Sequence, residues 1–149
     1  MEISFTVPGK LSGKQRPRFS RKSGRPYTPA KTISQEAVVR SLAQTAMGDA
    51  ALLEGALALT IRMTVMHPAS WSKRKCATTK WVSGKPDCDN IGKLAADSMN
   101  GIVYRDDAQI AKLDIERRYG ERECTQITVS VLTHAAPCPI TYSGSEVSQ

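Results

Sequence analysis

Five aspartates, Asp87, Asp89, Asp97, Asp106 and Asp107, fall within one short stretch of a chain whose formal net charge is +7. Carboxylates repel nucleic acid, so a basic protein that concentrates them has a use for them. The chemistry that such a group supports is the holding of a hard divalent cation, Mg2+ or Mn2+, against a phosphodiester. Asp87 and Asp89 lie two apart ahead of a helical pattern. Were that stretch extended, both side chains would point the same way. Asp89, Lys93 and Asp97 recur at i, i+4 and i+8, one side of a helix. Lys93 is thereby placed to reach a phosphate beside the carboxylates and to offset charge that builds up in the transition state. Asp106 and Asp107 follow a turn and precede a strand, positioned to return a carboxylate to the same place.

The same residues suit plainer roles. Asp89 or Asn90 is a good helix N-cap. Lys93 and Asp97 have the spacing of a surface ion pair, and Asp106-Asp107 has the composition of a turn. Trp71 and Trp81 serve as loop anchors or as stacking platforms. A calcium EF-hand fails: Asp87, Asp89 and Gly92 match loop positions 1, 3 and 6, but Ile91 and Ser98 stand at positions 5 and 12. A nucleotide-sugar transferase can also use an Asp-x-Asp pair, but this chain is short for one and has no Gly-rich phosphate loop.

Two basic runs flank the acidic centre. Lys10, Lys14, Arg16, Arg18, Arg21, Lys22, Arg25 and Lys31 come with no acid before Glu36, and Lys73, Arg74, Lys75, Lys80 and Lys85 with none before Asp87. They predict a phosphate track, with Lys14, Arg16, Arg18, Arg21, Lys22, Arg25, Lys73, Arg74, Lys75 and Lys85 as the DNA-binding residues. The 149 residues fit one domain with one core. Cys76, Cys88, Cys124 and Cys138 include no Cys-x2-Cys pair, and His67 and His134 stand far apart, which argues against zinc. The N-terminus lacks the pattern of a signal peptide, and no apolar run reaches membrane-spanning length. The expectation is a cytoplasmic protein with reduced thiols and no membrane partner.

The elements that must position these residues are legible as patterns. Ile3, Phe5 and Val7 alternate with polar residues as a strand. Residues 9–28 read as a long basic loop. Thr28-Pro29 reads as an N-cap and first turn, followed by a helix to about residue 47 with Ile33, Ala37, Val38, Leu42 and Ala46 on its apolar face and Gly48 as its stop. Leu57 to Val65 alternate as a second strand, and residues 67–86 form a second basic loop. Asn90 to Met99 form a helix stopped by Asn100-Gly101. Residues 109–119 read as a third strand, Leu113 and Ile115 facing one way and Asp114 and Glu116 the other, and Ile127, Val129 and Val131 mark a fourth. Residues 1–133 are expected to be the nuclease domain and 134–149 a disordered tail. The order predicts an α/β fold: a single-domain mixed sheet of about four strands with two main helices on one face.

With those elements in place, the string Asp87-Cys88-Asp89-Asn90-Ile91-Gly92-Lys93 matches the pattern D-x-D-N-[LI]-x-K of the RusA family, which the chain resembles. Asn100-Gly101-Ile102-Val103-Tyr104-Arg105-Asp106-Asp107-Ala108-Gln109-Ile110 is similar to the family's second block, which ends D-D-[AS]-Q-[IV]. Lys14-Gln15-Arg16-Pro17-Arg18-Phe19, Tyr27-Thr28-Pro29 and Pro68-Ala69-Ser70-Trp71-Ser72-Lys73 resemble its phage-type branch. The likeness spans roughly residues 3–132. It implies a Holliday junction resolvase: an endodeoxyribonuclease that cuts four-way DNA junctions as a homodimer with Mg2+. It implies catalytic, metal-holding roles for Asp87, Asp89 and Asp107, assistance from Lys93, and supporting places for Asp97 and Asp106. The alternatives are a structure-selective nuclease acting on forks or flaps, and a non-catalytic DNA-binding protein on the same scaffold.

Overall fold

In the computed structural model, residues 1–133 are described. The expected tail, 134–149, and with it Cys138 and His134, lies outside the described residues. The elements are β1 (Glu2–Pro8), β2 (Arg18–Phe19), β3 (Pro26–Tyr27), α1 (Ala30–Met47), β4 (Leu57–Met66), α2 (Lys73–Thr78), α3 (Cys88–Met99), β5 (Ile110–Gly120) and β6 (Cys124–Val131). A single 3-10 turn, Asp107–Gln109, leads into β5.

Four strands form one sheet in the order β1-β6-β4-β5. β6 runs antiparallel to both β1 and β4, whereas β4 and β5 are parallel. A parallel pair needs a long crossover. Here residues 67–109 supply it, and α3 is its helix. The fold is therefore the expected mixed α/β sheet with two main helices. Register places Phe5, Ile127, Ile61 and Ile115 in one row across the sheet. This row faces α1 and α3 and belongs to the core with Leu59, Val129, Ile91, Leu94 and Met99. The next row, Thr6, Gln126, Arg62 and Glu116, lies on the other face, because successive strand residues alternate sides. Arg62 bridges there to Asp114 (Nη2 to Oδ2, 2.9 Å) and approaches Glu116.

Several expectations need correction. α1 begins at Ala30 with Pro29, not Thr28, as its N-cap, and makes no side-chain capping bond. Its buried face is Thr32, Val39, Ala43 and Met47, with Leu42 half-covered. Ile33 and Val38, placed by pattern on the core side, are 54% and 44% exposed. The helix carries small apolar residues on several sides, so its own periodicity does not choose the face; β1 and α3 do. The basic loop 9–28 contains a two-stranded ribbon, β2 paired with β3. The second basic loop contains α2, capped by Ser72, whose side chain accepts from the Lys75 amide. α3 starts two residues earlier than its pattern, with Asp87 as its N-cap. β6 starts at Cys124, three residues before its marked residues, because Thr125 pairs with Val7 and Met63.

Candidate active site

The N-terminal turn of α3 arranges the first two aspartates. Asp87 sits at the N-cap with extended backbone, yet its side chain makes no capping bond. Asp89 lies within the first helical turn, so the two carboxylates do not share a direction by extended geometry. Lying two residues past Asp87, Asp89 is also not the N-cap. Both carboxylates are exposed and, among the described residues, form no hydrogen bond or ion pair. The positive end of the helix favours them there. One turn on, Lys93 is exposed and unpaired among the described residues, while Ile91, Gly92, Leu94 and Ala95 around it are buried.

Asp87 and Asp89 line a groove with Lys10, Lys14, Arg16, Arg18, Lys31 and Lys85. Its walls are held by backbone contacts. The Lys14 amide donates to the Asn90 carbonyl over 2.9 Å. Gly13, with φ +77°, lies so close to α3 that a Cβ there would stand 3.0 Å from the Asn90 Cβ. Behind the lining residue Pro86, Arg117 Nη1 donates to the carbonyls of Gly84 (2.8 Å) and Pro86 (2.6 Å). Arg117 thus fixes the segment that ends at Asp87.

The remaining carboxylates gather farther along α3. Asp107 lies beside Asp97 and Asp106. Burial, followed by these two acidic neighbours, holds the Asp107 carboxyl above the usual range. Lys14 forms a hydrogen-bonded ion pair with Asp97, and its ammonium is 3.4 Å from Glu36 Oε1. The Asp97 contact is the main reason that the Lys14 pKa is raised. Asp97 is therefore paired with Lys14, not with Lys93 as helical spacing alone suggests. Lys14 both lines the groove and ties it to the carboxylates. Tyr104 closes the arrangement: its buried hydroxyl donates to the Ala96 carbonyl over 2.8 Å. Asp106 caps the 3-10 turn, accepting from the Ala108 amide, while the Gln109 side chain accepts from the Asp106 amide. The Asp106 carboxylate is thereby engaged in the turn that begins at Asp107.

The structure brings Asp97, Asp106 and Asp107 together at one end, and Asp87 and Asp89 at the groove. Among the described residues no three His, Cys, Asp or Glu side chains converge as a ready ligand set for a metal ion. Asp87, Asp89 and Asp107 are thus not assembled around one point. In donor chemistry they suit Mg2+ or Mn2+: hard, anionic oxygens, two of them without partners among the described residues and one crowded by like charge that a cation would relieve.

Of the predicted DNA-binding residues, Lys14, Arg16, Arg18 and Lys85 line the groove. Arg21, Lys22 and Arg25 surround a second concavity on the β2–β3 ribbon. Lys73, Arg74 and Lys75 lie on α2, where Lys75 sits 4.1 Å over the Trp71 ring. Trp71 packs on His67 and Tyr119 as a loop anchor. Trp81 bridges to Arg118, whose guanidinium lies 4.7 Å over its ring. Tyr104, Arg117 and Glu36 were not among the expected site residues. Arg117 and Glu36 act through contacts distant in sequence and carry no local signal; Tyr104 falls inside the second motif block, where its place was the available clue. Cys76, Cys88 and Cys124 are free thiols.

Among the described residues no helix is long and apolar enough to cross a membrane. The chain is similar to the uncharacterized protein YqaN of Bacillus subtilis (strain 168), with 27% identity over 135 residues, 85% of this chain and 94% of that protein. The family model for endodeoxyribonuclease RusA matches residues 8–131. With the D-x-D-N helix start and the Asp106-Asp107 turn placed on its fold, the chain belongs to the RusA endodeoxyribonuclease family.

Proposed function

We propose that this protein is a Mg2+-dependent endodeoxyribonuclease that resolves four-way DNA junctions as a homodimer in the cytoplasm. The observation that carries this reading is the pair of carboxylates Asp87 and Asp89, unpartnered among the described residues, in a groove lined by six cations. Phosphates are drawn in by Lys10, Arg16, Arg18, Lys31 and Lys85, and two carboxylates wait where a phosphodiester would lie. Asp87, Asp89 and Asp107 would hold the metal, with Asp97 in support. When bound, Mg2+ supplies a more acidic water and stabilises the leaving oxygen. Lys93, one turn beyond Asp89, offers its ammonium to a non-bridging phosphate oxygen and offsets the charge gained in the transition state. Arg117 and Tyr104 keep the two groups of carboxylates in place from opposite ends of α3.

A junction has two-fold symmetry, and two opposed cuts need two related sites, which a C2 dimer provides. Among the described residues, Ile33 and Val38 of α1 are exposed and β1 is an edge strand, and these are the surfaces that favour self-association.

The test is cleavage of a labelled four-way junction, a flap and a linear duplex of matched sequence, with Mg2+. Paired cuts in opposed strands of the junction, far exceeding cuts in the others, support this reading. Preferential cutting of the flap replaces it with the second reading, a nuclease for other branched DNA.

A further inference from the structure

The β2–β3 ribbon holds large aromatic surface that none of the described residues covers. Phe19 is 74% exposed and Tyr27 48% exposed. Antiparallel register pairs Arg18 with Tyr27 and Phe19 with Pro26, which sets the two rings on opposite faces of the ribbon. The tip is ordered by its own bonds. The Ser20 amide donates to the Arg25 carbonyl (3.0 Å), the Gly24 amide donates to the Ser20 carbonyl (2.8 Å), and the Ser20 hydroxyl accepts from the Lys22 and Ser23 amides. Phe19 precedes this bonded tip directly, and its near neighbours in sequence are Arg16, Arg18, Arg21, Lys22 and Arg25, with no acid between Lys10 and Glu36.

The root of the ribbon is fixed to the active site. The Lys14 amide is bonded to Asn90 in the first turn of α3, the Lys14 side chain is paired with Asp97, and the Gln15 amide donates to the Thr32 hydroxyl (3.3 Å). Phe19 is five residues beyond Lys14, so a fully extended chain carries it at most about 18 Å from that anchor. Arg18, its direct neighbour, lines the groove with Asp87 and Asp89. A strand whose phosphate lies in the groove therefore brings its next few nucleotides to the ribbon.

We propose that Phe19 is a stacking platform for an unpaired nucleobase adjacent to the bound phosphate. The ligand class is a base freed from its partner, such as a junction presents at its branch point, and this part rests on the junction reading above. Cations along the ribbon hold the backbone while the ring takes the base face, a division of labour that tolerates any base identity. Duplex DNA, with its bases stacked inside, offers Phe19 nothing.

The test uses the full-length protein in EDTA, where no strand is cut. Junctions carrying 2-aminopurine beside the branch point report base unstacking, and Kd values are measured for the junction, for a single-stranded oligothymidine and for a linear duplex. Phe19→Ala is expected to weaken junction and oligothymidine binding by about 10-fold and to abolish the fluorescence change, with duplex binding unaltered. Phe19→Trp should restore both, and Phe19→Leu, which is apolar without a π face, should not. Equal loss on duplex and junction, full restoration by leucine, or no loss at all overturns the proposal. The oligothymidine arm is independent of the junction reading: a protein that fails to cut junctions in Mg2+ yet loses oligothymidine affinity with Phe19→Ala refutes that reading and keeps the platform.

Discussion

Tyr104 donates its buried hydroxyl to the carbonyl of Ala96, 2.8 Å away, and so binds the turn after α3 back onto the helix that carries Asp97. The bond spans only eight residues, and it ties the turn that leads to Asp107 to the helix. Burial, then the nearby charges of Asp107 and Asp97, hold the phenol far above its ordinary range, so it remains a donor throughout the working pH range.

Tyr104→Phe keeps the packing and removes the donor. The Ala96 carbonyl is left buried beside an apolar edge, and stability should fall by about 1–2 kcal/mol. Urea unfolding measures this. If Asp107 is aimed by this bond, cutting should fall more steeply than the melt explains when both are measured on the same preparation.

Gly92 tests how closely α3 lies on the sheet. A Cβ at this position would stand 2.8 Å from Ile115 Cδ1 and 3.1 Å from Leu113 Cδ2. Glycine is a poor helix former, by about 1 kcal/mol against alanine. Gly92→Ala gains that propensity and pushes the tip of a flexible side chain, so its thermal midpoint should stay close to wild type. Gly92→Val adds bulk that one methyl shift does not clear, and should lose about 1–3 kcal/mol by overpacking. A valine variant as stable as wild type would show that helix and strand are not in contact there.

The helix-free face of the sheet has its own pH signature. Arg62 holds the Asp114 carboxyl below its ordinary range through a two-pronged hydrogen bond, at 3.0 and 2.9 Å. A carboxylate with a depressed folded pKa adds stability that is present above its unfolded value, about 3.9, and is lost as pH falls through the lower folded value. Arg62→Ala should therefore have a lower melting temperature than wild type at neutral pH, and the gap should narrow below about pH 4. A gap that is constant from pH 7 to pH 3 would assign the loss to packing of the arginine stem instead.

The strands and α3 were readable because their periodicities are clean: Ile3-Phe5-Val7, Leu57 through Met63, and Ile91-Leu94-Ala95-Met99 each fill one face. The acidic centre was readable because charge of one sign stood out against a basic chain. α1 was not readable in orientation, since Ile33, Val38, Val39 and Ala43 surround much of its circumference and only tertiary contact selects Val39 and Ala43. The β2–β3 ribbon has two residues per strand, too few for a period. The tie between Lys14 and Asp97 spans 83 residues, and the clamp from Arg117 to Gly84 and Pro86 spans 33 and 31; such pairings belong to the fold and leave no trace in local spacing. The parallel pairing of β4 with β5 is of the same kind, being set by the crossover through α3.

The most direct measurement compares wild type with Asp89→Asn on a labelled four-way junction. Asp89 makes no hydrogen bond or ion pair among the described residues and is exposed, so asparagine should fold as aspartate does, at a cost within about 1 kcal/mol for the lost charge at the helix N-terminus. Cutting is followed in Mg2+, and junction Kd is measured in EDTA. The predicted result is paired, Mg2+-dependent cuts by wild type, none by Asp89→Asn, and junction affinity in the mutant at least equal to wild type. Cutting that survives in Asp89→Asn, or cutting and binding that fall together in a folded mutant, contradicts a metal-holding role for this carboxylate.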